Sequence, residues 1–343
     1  MSRSLLTGLG TLLLCSGIAQ ADPGFKPNGS IGLTQTFYGN SGGYKTATAH
    51  PSLSLNYNFA PKWNLNLVWD RTWGLYDDYT GAPNQQYEYF SQPAGTLTYN
   101  YGKLGDSKVN WSSSVMFENQ TNMTGTSTNY VYGQTFFDFS EYLPRSEFLK
   151  ATQFALAPQY VHAWNSQGGS GSINTAGIGL LTNWDLPGNF SFTLNAYAFK
   201  DWYSGALQIS GPNGNYSSAN YFVALAWLQY QNTLFKFDQN TSLSFNFIGG
   251  LDPFMASNRN GSWEPFIASN AQYEWLGPTM QAGNFKSTYI LFALPQLMLT
   301  YNVNDKLSFN VFVQVKYSNQ VWGDSVGGWS FQPQGGFGVT YNF

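Results

Sequence analysis

Charge is the first thing this sequence has little of. Lys, Arg, Asp and Glu together make up 10% of its 343 residues, against about 25% in an ordinary soluble domain. A soluble enzyme of this length is expected to carry far more Lys and Glu. The balance is slightly acidic, at −3, and no basic patch is present, which argues against a nucleic-acid partner. Cysteine is nearly missing too. Cys15 is the single one, so the chain beyond residue 21 has no disulfide framework to draw on. Histidine occurs twice, as His50 and His162. No spacing links either to a nucleophile or to a set of metal ligands, so the expectation is a protein that is not an enzyme and needs no cofactor or metal. Long apolar runs are missing as well. A helical membrane span needs about 18 consecutive apolar residues, whereas after residue 21 the runs are as short as Phe222–Leu228 and Tyr289–Leu294.

Aromatic residues, by contrast, are abundant, with 12 Trp, 23 Tyr and 27 Phe. That excess excludes a disordered chain, which is poor in aromatics. Mean hydropathy is nevertheless −0.27. Apolar and polar residues must therefore be finely interleaved.

Residues 1–21 read as a secretory signal peptide. Arg3 is the positive start, Leu5 to Leu14 the apolar stretch, and Ala19-Gln20-Ala21 the small-residue cleavage site. Residues 22–28 form a short lead, and residues 29–343 carry the repeating pattern.

That pattern has a period of two. Leu307, Phe309, Val311, Val313, Val315 and Tyr317 alternate with Ser308, Asn310, Phe312, Gln314, Lys316 and Ser318. Phe337, Val339, Tyr341 and Phe343 alternate with Gly338, Thr340 and Asn342, and Leu53, Leu55, Tyr57 and Phe59 with Ser54, Asn56 and Asn58. Such alternation is a strand with one apolar and one polar face. A soluble β-sandwich alternates too, but its polar face carries Lys and Glu rather than Asn, Gln, Ser and Thr. Six short turns (60–62, 103–107, 141–147, 185–189, 238–241 and 304–305) interleave with seven longer Gly/Ser/Asn-rich loops. Together they separate about fourteen strands, with 12 to 16 allowed. The expected fold is all-β: a transmembrane antiparallel up-and-down barrel, even-stranded and closed, because a closed sheet is the one that satisfies its backbone in a bilayer. Aromatics gather at strand ends. Tyr57, Phe59, Trp63, Tyr99, Tyr101, Tyr301 and Tyr341 lie on the short-turn side, and Trp69, Trp164, Trp202 and Tyr317 on the loop side. These two rows fit the girdles at membrane interfaces.

The polar positions then line a lumen. The candidates are Asn64, Asn66, Asp70, Asn110, Glu118, Lys150, Gln159, Asn195, Asp201, Asn246, Gln296, Asn310, Gln314, Lys316 and Gln332. They are mostly amides, which both donate and accept hydrogen bonds and so replace part of a solute's hydration without selecting by charge. The charged members also fit solvated loop-level charges or internal ion pairs. The longest loop, residues 252–287, carries Arg259, Trp263, Glu264, Tyr273 and Trp275 as candidates for a constriction at the mouth; the alternative is that its aromatics merely pack the loop. His50 and His162 are both placed near the loop-side rim.

The terminal Phe343 in an alternating strand resembles the C-terminal signature of bacterial outer-membrane β-barrels. Over residues 22–343 the pattern resembles the outer-membrane porins, and its fourteen strands, lack of cysteine and long loops look like the monomeric OmpG type. The stretches LSLNYNF (Leu53–Phe59) and KWNLNLVWDRTW (Lys62–Trp73) also look similar to the amide/urea porins. The resemblance implies a Gram-negative outer-membrane channel for passive diffusion of small hydrophilic, neutral or weakly charged solutes, either amides and urea or short saccharides. It implies membrane lipid and lipopolysaccharide as surroundings and leaves the oligomeric state open. An outer-membrane enzyme and a plugged surface-interaction barrel are the alternatives.

Overall fold

The computed structural model describes residues 24–39, 48–74, 90–121, 127–165, 171–204, 209–211, 214–259, 287–319 and 329–343. Sixteen strands run along them: β1 (Asn28–Tyr38), β2 (Thr48–Ala60), β3 (Trp63–Gly74), β4 (Phe90–Lys103), β5 (Asn110–Thr121), β6 (Ser127–Asp138), β7 (Lys150–Asn165), β8 (Ser172–Leu186), β9 (Phe190–Tyr203), β10 (Ile209–Gly211), β11 (Gly214–Tyr216), β12 (Ser218–Lys236), β13 (Thr241–Ser257), β14 (Ser287–Asn302), β15 (Leu307–Ser318) and β16 (Ser330–Asn342). Fourteen of them close a barrel in which each strand pairs with its sequence neighbour, β12 pairs with β9, and β1 pairs with β16. All these pairings are antiparallel. The strands β10 and β11 form a separate two-stranded hairpin inside the β9–β12 connection.

The fold is thus the expected closed antiparallel barrel, and its fourteen strands are the number that the thirteen turn signals separate. Turn chemistry explains why the short connections stay short. Asp238 accepts the backbone N–H groups of Asn240 and Thr241, both at 2.7 Å. Asn304 does the same for Lys306 at 2.8 Å and Leu307 at 2.9 Å. Such side-chain caps replace the ladder bonds that the chain gives up on reversing. At the β8–β9 turn, Gly188 and Asn189 take φ values of 72° and 65°, a region that glycine and asparagine enter most cheaply.

One boundary differs from expectation. Strand β13 continues to Ser257, so the residues from Asp252 to Ser257 belong to the wall rather than the long loop. The strand gets that far through a bulge between Leu251 and Phe254. A bulge breaks the period of two, which is why the alternation stops looking like a strand at that point.

Alternation and exposure together orient the wall. Large exposed apolar side chains share one parity on each strand: Ile31, Leu33 and Phe37 on β1, Leu297 and Leu299 on β14, Phe309, Val311, Val313 and Val315 on β15, and Phe331 and Phe337 on β16. That parity is the outside. The register carries it around the barrel, since Leu33 faces Val339 and Leu299 faces Val311. A row of rings follows the short-turn rim on this outer face. Tyr341, Phe343, Tyr57, Phe59, Trp63, Tyr99, Tyr101, Trp111 and Phe137 each meet the next, with centroids between 3.7 and 6.4 Å. The stacked pair Tyr101–Trp111, at 3.7 Å and 9°, is the tightest of these contacts.

Candidate functional site in the barrel interior

The opposite parity faces inward, and its chemistry divides the interior in two. On β1 to β5 and β13 to β16 it is largely amide and hydroxyl. Asn64 donates to Asn56 at 3.0 Å and to Asn58 at 2.9 Å, and Asn58 donates to Asn28 at 2.9 Å. A longer ladder crosses four strands. Asn246 donates to Gln296 at 2.8 Å, Gln296 to Gln314 at 2.7 Å, Gln314 to Gln334 at 2.5 Å, and Gln334 to Gln332 at 2.9 Å. Every step runs amide N–H to carbonyl in the same direction. It starts at an Asn246 carbonyl and ends at a Gln332 amide nitrogen, neither of which has a partner. The register makes this possible, because Asn246 lies opposite Gln296 and Gln314 opposite Gln334.

Charge on this wall is sparse and held by neighbouring side chains. His50 Nδ1 lies 2.8 Å from the Thr72 hydroxyl, and its Nε2 lies 3.7 Å from Asp70. Glu118 accepts amide hydrogens from Gln92 at 2.5 Å and Gln120 at 2.7 Å. At the short-turn end Lys150 pairs with Asp185 at 3.5 Å. Beyond the strand ends, Lys103 and Asn110 donate to Glu141 at 3.0 and 3.1 Å, and these two bonds hold the Glu141 carboxyl below its ordinary pKa. The Asn240 backbone N–H does the same for Asp238. Among the described residues no group of three or more His, Cys, Asp and Glu is placed to hold a metal.

The loop-side half of β6 to β9 and β12 to β14 departs from the expectation of an amide-lined lumen. Its inward residues are aliphatic or aromatic and packed. Val161, Ile173, Val223, Leu225, Met255 and Ile290 are 0–2% exposed, and Tyr197, Phe199, Tyr221 and Trp227 are 3–4% exposed. With Phe292, Leu294 and their neighbours, most of them form one apolar cluster on the inside of the wall. Residues buried this completely do not face open water. Glycine makes room for the rings. A Cβ on Gly179 would lie 2.7 Å from the Tyr197 ring, and one on Gly177 would lie 2.3 Å from Phe199. Tyr197 and Phe199 stack at 5.7 Å and 9°.

All fifteen sequence-selected lumen residues lie on the inward parity, but in different surroundings. Asn64, Asn66, Asp70, Asn110, Glu118, Asn246, Gln296, Asn310 and Gln314 are half-buried on the polar wall. Lys150 lies at the short-turn end. Gln159, Asn195, Asp201, Lys316 and Gln332 are buried, at 0–9% exposure. Asp201 in particular is enclosed, accepting from the hydroxyls of Thr175 at 2.7 Å and Tyr203 at 2.9 Å. The internal ion pair named as an alternative for the charged residues is present at Lys150 and absent at Glu118, which is held by amides. Of the constriction candidates, Arg259 stacks over Tyr216 at 4.2 Å. Trp263, Glu264, Tyr273 and Trp275 lie outside the described residues. His50 points inward beside Asp70. His162 has the outward parity, stacked on Trp164 at 5.2 Å and 2.8 Å from the Asn174 side-chain oxygen. Its position in the alternation of β2, opposite Thr36, was the signal that puts His50 on the inner wall.

No family model and no curated protein matches the chain. Solved structures do resemble it. A bacterial polysaccharide outer membrane secretin aligns over 92% of this chain and 98% of its own, at 8% identity and a TM-score of 0.43. The outer membrane channel DcaP of Acinetobacter baumannii aligns over 93% and 96%, at 11% identity and 0.38. An anion-selective porin from Comamonas acidovorans aligns over 93% and 99%, at 8% identity and 0.36. None of these likenesses assigns a residue role or a solute to this chain.

Proposed function

We propose that this protein is a bacterial outer-membrane porin, a passive diffusion channel for small hydrophilic solutes that are neutral or weakly charged. The observation that carries the reading is the pairing of two surfaces on one closed wall. The outer parity is apolar and rimmed by a row of aromatic rings, which suits a bilayer with its interfaces. The inner parity on β1 to β5 and β13 to β16 is a wall of amides and hydroxyls. Such a wall exchanges hydrogen bonds with a polar solute at little cost. Amides such as urea, or short saccharides, are the solutes that this chemistry admits. Export by residues 1–21, residence in lipid and lipopolysaccharide, and diffusion without catalysis belong to the same reading.

Liposome swelling tests it. Vesicles holding the purified barrel should swell in urea, acetamide and a disaccharide faster than protein-free vesicles. Absence of swelling in all three refutes the channel. One observation favours a second reading, a barrel plugged to solutes that serves a surface interaction: the packed apolar cluster inside the loop-side half. The same swelling assay separates the two, because a plugged barrel leaves all three rates at the protein-free level.

A further inference from the structure

Inside the wall, below the apolar cluster and toward the short turns, lies a cavity of about 550 Å³. Inward residues of β7, β8, β9 and β12 line it, with Tyr197 and Trp227 from the cluster contributing ring surface. Its hydrogen-bonding capacity is lopsided. The Asn195 carbonyl oxygen accepts the Thr182 backbone N–H at 2.9 Å. A backbone donor fixes which end of that amide is oxygen, so the NH₂ end is left over. The Gln229 carbonyl accepts from Ser191 at 3.2 Å, and the Gln153 carbonyl accepts from Asn183 at 2.7 Å. The amide carbonyls of the lining are therefore engaged within the wall, Asn183 accepting from Thr193, and the amide NH₂ groups of Asn195, Gln153 and Gln229 are left over as donors. The lining carboxylate, Asp185, is balanced by Lys150 at 3.5 Å.

We infer that this cavity is a binding site for a small organic carboxylate with a flat apolar body. An ionised carboxylate is acceptor-only and takes up to about four hydrogen bonds, which complements a surface of surplus N–H groups. The body lies against Trp227, Tyr197 and Leu181. The leftover Asn195 NH₂ gains more from a charged acceptor than from a neutral one. The inference deepens the channel reading and rests on it only for the solute's route to the cavity.

The test is calorimetric titration of the detergent-folded full chain with benzoate, and with benzamide as the neutral probe of the same shape. Benzoate should bind about tenfold or more tightly than benzamide. Asn195→Asp keeps the acceptor for Thr182 but loses the free NH₂, and should weaken benzoate at least tenfold. Gln153→Glu keeps the acceptor for Asn183 and loses an NH₂, and should weaken it by about threefold or more. Gln229→Glu serves in place of either variant that fails to show the folded form by heat-modifiable migration in gels. Equal binding of the two probes, or benzoate affinity unchanged in folded variants, overturns the site. Conductance of the wild-type barrel in planar bilayers with KCl is read separately. A barrel that conducts but does not distinguish benzoate from benzamide sinks this inference and leaves the channel standing. A barrel that binds benzoate yet conducts nothing sinks the channel and leaves the site.

Discussion

Cutting the amide ladder at its middle tests whether those hydrogen bonds hold the wall together. Gln314 makes two of them, accepting from Gln296 at 2.7 Å and donating to Gln334 at 2.5 Å. Gln314→Leu keeps most of the side-chain volume and removes both. A side-chain hydrogen bond contributes about 1 kcal/mol net, so the substitution should cost about 2 kcal/mol. Part of that cost comes from the orphaned Gln296 nitrogen and Gln334 oxygen, and access of water to the half-buried site reduces it. The measurement is reversible urea unfolding in lipid vesicles, followed by tryptophan fluorescence. A double-mutant cycle with Gln296→Leu isolates the single bond between them and should return a coupling of about 1 kcal/mol. Gln231→Leu, an exposed amide outside the ladder, is the control and should stay within about 0.5 kcal/mol. If Gln314→Leu costs no more than the control, or if the coupling is within about 0.3 kcal/mol of zero, the ladder is geometry without energy and the reasoning is wrong.

Other outcomes follow from the same structure. Leu225→Ala opens a cavity at a position that is 0% exposed and should cost about 2–5 kcal/mol in the same unfolding assay. Gly179→Val places a side chain where the Tyr197 ring lies; the yield of heat-modifiable folded barrel should fall sharply, whereas Gly133→Val, where nothing lies within 4 Å, should leave it intact. Asp238 has a depressed pKa because its ionised form accepts the Asn240 and Thr241 N–H groups. The stability it lends the β12–β13 turn is therefore present above the unfolded-state pKa and lost as pH falls through the lower folded value. Hydrogen-exchange protection of Asn240 and Thr241 should drop over that acid range in the wild type and remain flat in Asp238→Asn.

The strands were legible where each face kept its own chemistry. Leu53 to Phe59 alternate without interruption and Leu307 to Ser318 with one, Phe312 on the polar row, and β2 and β15 cover them. The polar lumen residues were legible for the same reason, since parity alone places Asn64, Gln296 and Gln314 inside. Sequence reasoning ran out at β12. There Tyr221, Val223, Leu225 and Trp227 face inward while Phe222 and Leu228 face outward, so both faces are apolar and the alternation carries no sign of which one is inside. The burial of Asp201 was equally hidden, because its enclosure depends on Thr175 from the neighbouring strand, a cross-strand partner that only the register supplies. The bulge at Asp252 and Pro253 disguised the end of β13 as loop.

The division of the interior also makes the wall mechanically uneven. Strands β6 to β9, β12 and β13 are backed from inside by packed side chains, and bending them would break dense contacts. Strands β1 to β5 are braced inside mainly by single hydrogen bonds between amides, which stretch and exchange with water far more readily. Deformation of the cross-section, and the first opening of backbone hydrogen bonds, should concentrate on that softer arc. The closing seam between β1 and β16 adjoins it. By this packing the barrel is a half-stiff, half-compliant ring, and any change of bore should come from one side.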